Sequence, residues 1–186
     1  MGWKANTKTG GAVGYLAASI YGGAVGYMAC TTEDGGSVGR NASSTNGGAV
    51  GSSAYSTEGG AVGYYAFSTI GGAIGRSAYS TNGGSVGSWA SSTEGGAVGR
   101  HASSTLGGAI GSSAYSTTGF AGGYSAKATA DGAVQLGEGT NEVANTLNFR
   151  DYQLMDANGY FIANNYGTSD PSGTATVGSI YYKIIS

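Results

Sequence analysis

The side chains best able to do chemistry in this chain are few and scattered. Its one histidine, His101, follows Arg100 with no second histidine and no cysteine cluster to complete a metal site, so it reads as an exposed surface residue. Glu33, Glu58 and Glu94 lie too far apart for an obvious carboxylate pair and read as solvated turn residues. Glycine is abundant, yet a phosphate loop must join a strand to a helix, and no helical pattern follows. Calcium-binding β-roll repeats need a recurrent aspartate, which the array lacks. No catalytic residue, cofactor or metal site is expected. The remaining candidates are aromatic: Tyr55, Phe67 and Tyr79 recur at twelve-residue intervals, accompanied by Tyr64, Tyr65 and Trp89. Flat rings with hydrogen-bond donors nearby can bind sugars, although the same spacing also lets successive layers of a repeat stack their rings.

That interval belongs to the element that must position the rings. Glycine pairs begin at Gly10, Gly22, Gly35, Gly47, Gly59, Gly71, Gly83, Gly95 and Gly107, twelve residues apart except for one spacing of thirteen, where Asp34 is the extra residue. Each unit reads Gly-Gly-(Ala/Ser)-(Val/Ile)-Gly-x-x-Ala-x-Ser-Thr-x, and degraded units start at Gly119 and Asp131. Twelve residues are too few for a helix pair, and recurrent glycine penalises any helix. Two short extended segments per unit, joined by glycine-dependent turns and stacked about 4.8 Å apart, satisfy the pattern. Ten such coils make a rod of roughly 50 Å. The expected fold is therefore all-β, a parallel β-solenoid of twelve-residue repeats.

Alternation places the aliphatic fourth position inside, with Val50, Val62, Ile74, Val86, Val98 and Ile110, opposite the eighth, with Ala54, Ala66, Ala78 and Ala90. Positions six, seven and nine are expected to face outward. One aliphatic side chain per coil is thin burial against the entropy of ordering a whole unit. Several chains sharing one axis would remedy this, so self-association is expected.

Composition sets further bounds. Of 186 residues, 38 are glycine and about 10% are charged, which argues against an ordinary globular core. A single proline and the absence of a triplet period exclude collagen, while fourteen tyrosines set the chain apart from disordered tracts. Eight basic and ten acidic residues, without a basic cluster, give no reason to expect nucleic acid. Cys30 is alone and reads as a small packed residue. No stretch approaches transmembrane length, so no membrane insertion is expected, and Met1 to Ile20 lacks the continuous apolar run of an export signal. Asn6 stands where a myristoylation site would need serine or threonine, and the triplet Asn41-Ala42-Ser43 matters only in a secretory context.

The runs Gly-Ala-Val-Gly-x-x-Ala-x-Ser and Gly-Ala-Ile-Gly-x-x-Ala-x-Ser, from Gly10 to about Ala130, resemble the head repeats of trimeric autotransporter adhesins. Those heads form a left-handed parallel β-roll of three interlocked chains with repeats of about fourteen residues. The resemblance implies an intertwined homotrimer. After about residue 140 the period fades, dividing a lead-in over residues 1–9 and a solenoid shaft over 10–140 from a β-rich cap or attachment module over 141–186. There, Tyr152 to Met155 and Tyr160 to Ala163 flank a turn ending in Gly159, suiting a short hairpin, and Ser179 to Ile185 reads as a final strand. The stretch from Gln135 to Gly159 resembles a segment recurring in fibre proteins of bacteriophages that infect gut bacteria. Together these resemblances imply a phage tail or head fibre, located on the virion, that presents a rigid shaft to a host-surface glycan or receptor. Alternatives are a bacterial adhesin head on the cell surface, and an ice-binding solenoid using the column Thr45, Thr57, Thr69, Thr81, Thr93, Thr105 and Thr117.

Overall fold

Each repeat folds as two short strands and two turns. Positions two to four form strands such as Gly48–Val50, Gly60–Val62 and Gly72–Ile74, and positions nine and ten form strands such as Tyr55–Ser56, Phe67–Ser68 and Tyr79–Ser80. In this computed structural model, which describes residues 4–149, 164–167 and 180–183, strands of each kind pair only with their own kind. Two parallel sheets of twelve strands result, one carrying the valines and the other the serines. Equivalent residues stand one above the next: Ala61 pairs with Ala73, Val62 with Ile74 and Phe67 with Tyr79. No helix occurs among the described residues. The chain is a parallel β-solenoid. Asp34 is the extra residue of the long coil, since Glu33 N–H donates to the Thr45 carbonyl as Asn46 N–H does to that of Thr57.

The ladder extends beyond the periodic text at both ends. Asn6–Thr7 pairs with Ala18–Ser19, so the expected lead-in already holds a strand. Leu147–Phe149 pairs with Val134–Leu136, carrying the coils past residue 140, and the first compact unit spans Met1–Arg150. In the second unit, Asp151–Ser186, Asn164–Gly167 pairs in parallel with Ile180–Lys183. The latter strand lies within the expected final one; the expected hairpin of residues 152–163 falls outside the described residues.

Two backbone requirements explain the glycines of the turns. At position five Gly63 has φ +137°, and a Cβ there would land on the Gly75 carbonyl of the next coil. At position one, a Cβ on Gly59 would strike the Gly71 carbonyl. Position seven is left-handed as well, yet it holds ordinary residues, including Tyr65 at φ 54°, Ser77 at 54°, Trp89 at 62° and His101 at 56°. Stacking holds them there: the Tyr65 N–H donates to the Ser52 carbonyl below at 3.0 Å.

The interior corrects one expectation. Ala54, Ala66, Ala78 and Ala90 are fully buried, as anticipated, but their companions are the third-position residues Ala49, Ala61, Ala73, Ser85, Ala97 and Ala109. Val50, Val62, Ile74, Val86, Val98 and Ile110 point the other way and remain 43–50% exposed in the single chain. The reason is space. Ser85 Oγ, on the valine sheet, donates 2.6 Å to the Tyr79 carbonyl of the serine sheet, so the sheets lie too close for anything longer than a Cβ and one further atom. Strand alternation then turns the valines outward.

Core serines close the second turn. Ser56, Ser68, Ser80, Ser92 and Ser116 each donate their hydroxyl to the first-position carbonyl three residues on, at 2.5–2.6 Å. Near the last coils the small-residue interior gives way to amides. Gln135 is buried, and Asn141 donates to the carbonyls of Val134 and Thr146 while its own carbonyl accepts from Val143 N–H and the Thr146 hydroxyl.

Candidate binding surface

The six aromatic candidates separate into two groups set by their repeat positions. Tyr55, Phe67 and Tyr79 occupy position nine, whose side chains leave the serine sheet on its outer face. In-register pairing stacks them at centroid separations of 5.1 and 4.9 Å with interplanar angles of 9° and 5°. A continuous aromatic ladder three coils tall results, and ring stacking between coils, the alternative reading of this spacing, takes place here. Its outermost faces and edges remain open to solvent, as Tyr55 and Tyr79 are 40% and 45% exposed.

Tyr64, Tyr65 and Trp89 instead lie on one edge of the solenoid, in the turn after the valine strand. Tyr64 and Tyr65 meet edge to face at 4.3 Å, and Trp89 stacks on His101 at 6.2 Å. Arg76 lies over the Trp89 ring at 5.9 Å, a cation–π contact at a solvent-exposed site. A side-chain hydrogen bond to Tyr65, aided by that phenol's charge, lifts the Tyr64 phenol above its ordinary pKa, against a smaller opposing pull from Arg76 and Arg40.

Further along the serine sheet an open hollow of about 550 Å³ had no counterpart among the sequence candidates. Tyr115, Lys127 and Thr140 line it from position nine, with His101 and Glu142 beside them. The signal was present in the text: Tyr115 continues the position-nine column that gave Tyr55, Phe67 and Tyr79. An exposed ring with an ammonium, a carboxylate and a hydroxyl around it offers both a stacking face and hydrogen-bond partners to a polar ring.

Among the described residues, no three side chains of histidine, cysteine, aspartate or glutamate gather as a metal site would require, and no helix is long and apolar enough to cross a membrane. No protein-family model matches the chain, and neither a curated protein nor a solved structure does.

Proposed function

We propose that this chain is a structural and adhesive fibre protein, most simply the shaft of a phage tail or head fibre, which works as a homotrimer and presents aromatic side chains to host-surface glycans. One observation carries the reading: the valine sheet leaves an unbroken column of β-branched side chains uncovered, from Val13 to Ile110. Single exposed aliphatics are ordinary, but a contiguous ladder of them is the signature of an interface. A second copy supplies the matching surface, since its own ladder has the same 12-residue pitch. The number three comes from the resemblance of the repeats to trimeric adhesin heads. Covering this face removes apolar surface from water, supplying the burial that an interior of alanine and serine lacks.

The outward aromatics support the adhesive part. With the valine face taken up in assembly, the outer face of the serine sheet stays available, and it carries Tyr55, Phe67, Tyr79 and the hollow beside Tyr115. Sedimentation equilibrium is expected to give three times the chain mass, and Val62→Ser with Ile74→Ser to shift that toward the monomer. A wild-type monomer at every concentration would overturn the assembly, and host adsorption unaffected by an excess of the purified protein would overturn adhesion. The threonine column favours ice binding less: Thr57, Thr69 and Thr81 are stacked in register but half-buried, next to the projecting rings of Tyr55, Phe67 and Tyr79.

A further inference from the structure

Charge is sorted between the two edges of the solenoid. From Gly10 to Thr118 the carboxylates are Glu33, Asp34, Glu58 and Glu94, each in the turn that precedes a glycine pair. The guanidiniums over the same span are Arg40, Arg76 and Arg100, each in the turn after a valine strand. These turns join the two sheets at opposite edges, so acid and base cannot meet within one chain. All seven side chains are exposed. Arg76 lies over Trp89, but Arg40 and Arg100 have no carboxylate partner among the described residues.

Spacing adds a second regularity. Asp34 lies six residues before Arg40 and Glu94 six before Arg100, whereas Ile70 holds that place before Arg76, the arginine that stacks on a ring instead. Six residues are half a coil, an axial rise of about 2.4 Å if a whole coil rises about 4.8 Å. Two copies standing parallel and level, acidic edge beside basic edge, would therefore bring Glu33 and Asp34 to Arg40, and Glu94 to Arg100, well within the reach of a guanidinium. Glu58 would face the Tyr64 and Tyr65 hydroxyls. Slipping by one coil in one direction loses both charge pairs, and in the other exchanges them for a single Glu58–Arg76 pair.

We infer that the acidic edge of this solenoid docks against the basic edge of a second copy of the same chain, parallel and without axial stagger, through Glu33 and Asp34 with Arg40 and Glu94 with Arg100. This rests on the self-association proposed above and adds what sets its register. Because the two edges differ, the contact is head-to-tail around an axis, the kind that closes into a ring. The valine ladders fix which face turns inward; identical coils alone would leave the axial register free to slip by whole rungs.

Charge reversal tests this by sedimentation equilibrium on the full chain. A basic-edge variant (Arg40→Glu, Arg100→Glu) and an acidic-edge variant (Glu33→Arg, Asp34→Arg, Glu94→Arg) are each expected to raise the concentration of half-association by about tenfold or more. Combining all five substitutions exchanges the edges and is expected to restore association to within about threefold of wild type. Circular dichroism on each variant checks that the coils persist. If wild type associates while the reversals change nothing, or the exchanged protein is no better than its parents, edge pairing is wrong and self-association stands. If wild type is monomeric throughout, both fall.

Discussion

At the scale of single residues, the fold depends on backbone shapes that stacking imposes on each coil. Gly63 combines φ +137° with a neighbouring carbonyl in the path of any Cβ, so Gly63→Ala is expected to cost roughly 3 kcal/mol or more in urea unfolding. Ser77, at φ 54° in the left-handed region, provides the contrast. Ser77→Val should lose about 1–2 kcal/mol because a β-branched side chain crowds that backbone, while Ser77→Gly should be neutral or gain up to about 1 kcal/mol. A hydrogen bond to Tyr65 raises the Tyr64 pKa, so the neutral phenol is the favoured form in the folded chain. The contact is complete below the pKa of a free phenol and is lost as pH rises through the raised value. Tyr65→Phe is therefore expected to move the Tyr64 titration down, read from phenolate absorbance or ring-carbon chemical shifts.

At the scale of the strand, the interior admits a Cβ and little else. Ala66→Leu is expected to cost about 3 kcal/mol by overpacking, measured by thermal or urea unfolding. Val62→Ala, on an exposed position of the same coil system, should change the stability of the isolated chain by less than about 1 kcal/mol. The two outcomes together discriminate an alanine core from a valine one. The period, the two extended segments, the extra Asp34 and the burial of Ala54, Ala66, Ala78 and Ala90 could all be read from the sequence, because glycine spacing and small-residue columns state them directly. The orientation of Val50, Val62 and Ile74 could not be read by hydrophobicity, which ranks valine above alanine as a core residue. The telling feature was size: the third position holds only alanine or serine from Ala12 to Ala121, as a space one Cβ deep requires. For the aromatic candidates, the same period that predicted stacking of Tyr55, Phe67 and Tyr79 was realised by the in-register ladder. Spacing alone points to Tyr115, which shares the twelve-residue position of Tyr55, Phe67 and Tyr79, but the hollow beside it depends on how Lys127, Thr140 and Glu142 stand in coils where the repeat has already decayed, and spacing does not give that.

At the scale of the whole molecule, the second-position glycines are the residues that a single chain does not explain. Gly23, Gly36, Gly48, Gly60, Gly72, Gly84 and Gly96 lie on the same outer face as the valines, and a Cβ built on any of them meets nothing within 4 Å. None has the left-handed backbone that would call for glycine. Each of them opens a strand with ordinary extended backbone, where glycine costs up to about 0.5–1 kcal/mol relative to alanine, so seven of them in register are a standing cost that local structure does not repay. A partner that seats its valine and isoleucine side chains against this bare strip does repay it, because any side chain at position two would hold the surfaces apart. Substituting Gly60, Gly72 and Gly84 together by threonine is accordingly expected to act in opposite directions on the two levels. The separated chain should gain stability, since threonine suits a strand and has open space to occupy, whereas association measured by sedimentation should weaken by about tenfold or more. Were the triple variant to associate as tightly as wild type, the valine face would not be where the copies meet, and the glycine column would have to be attributed to something other than assembly.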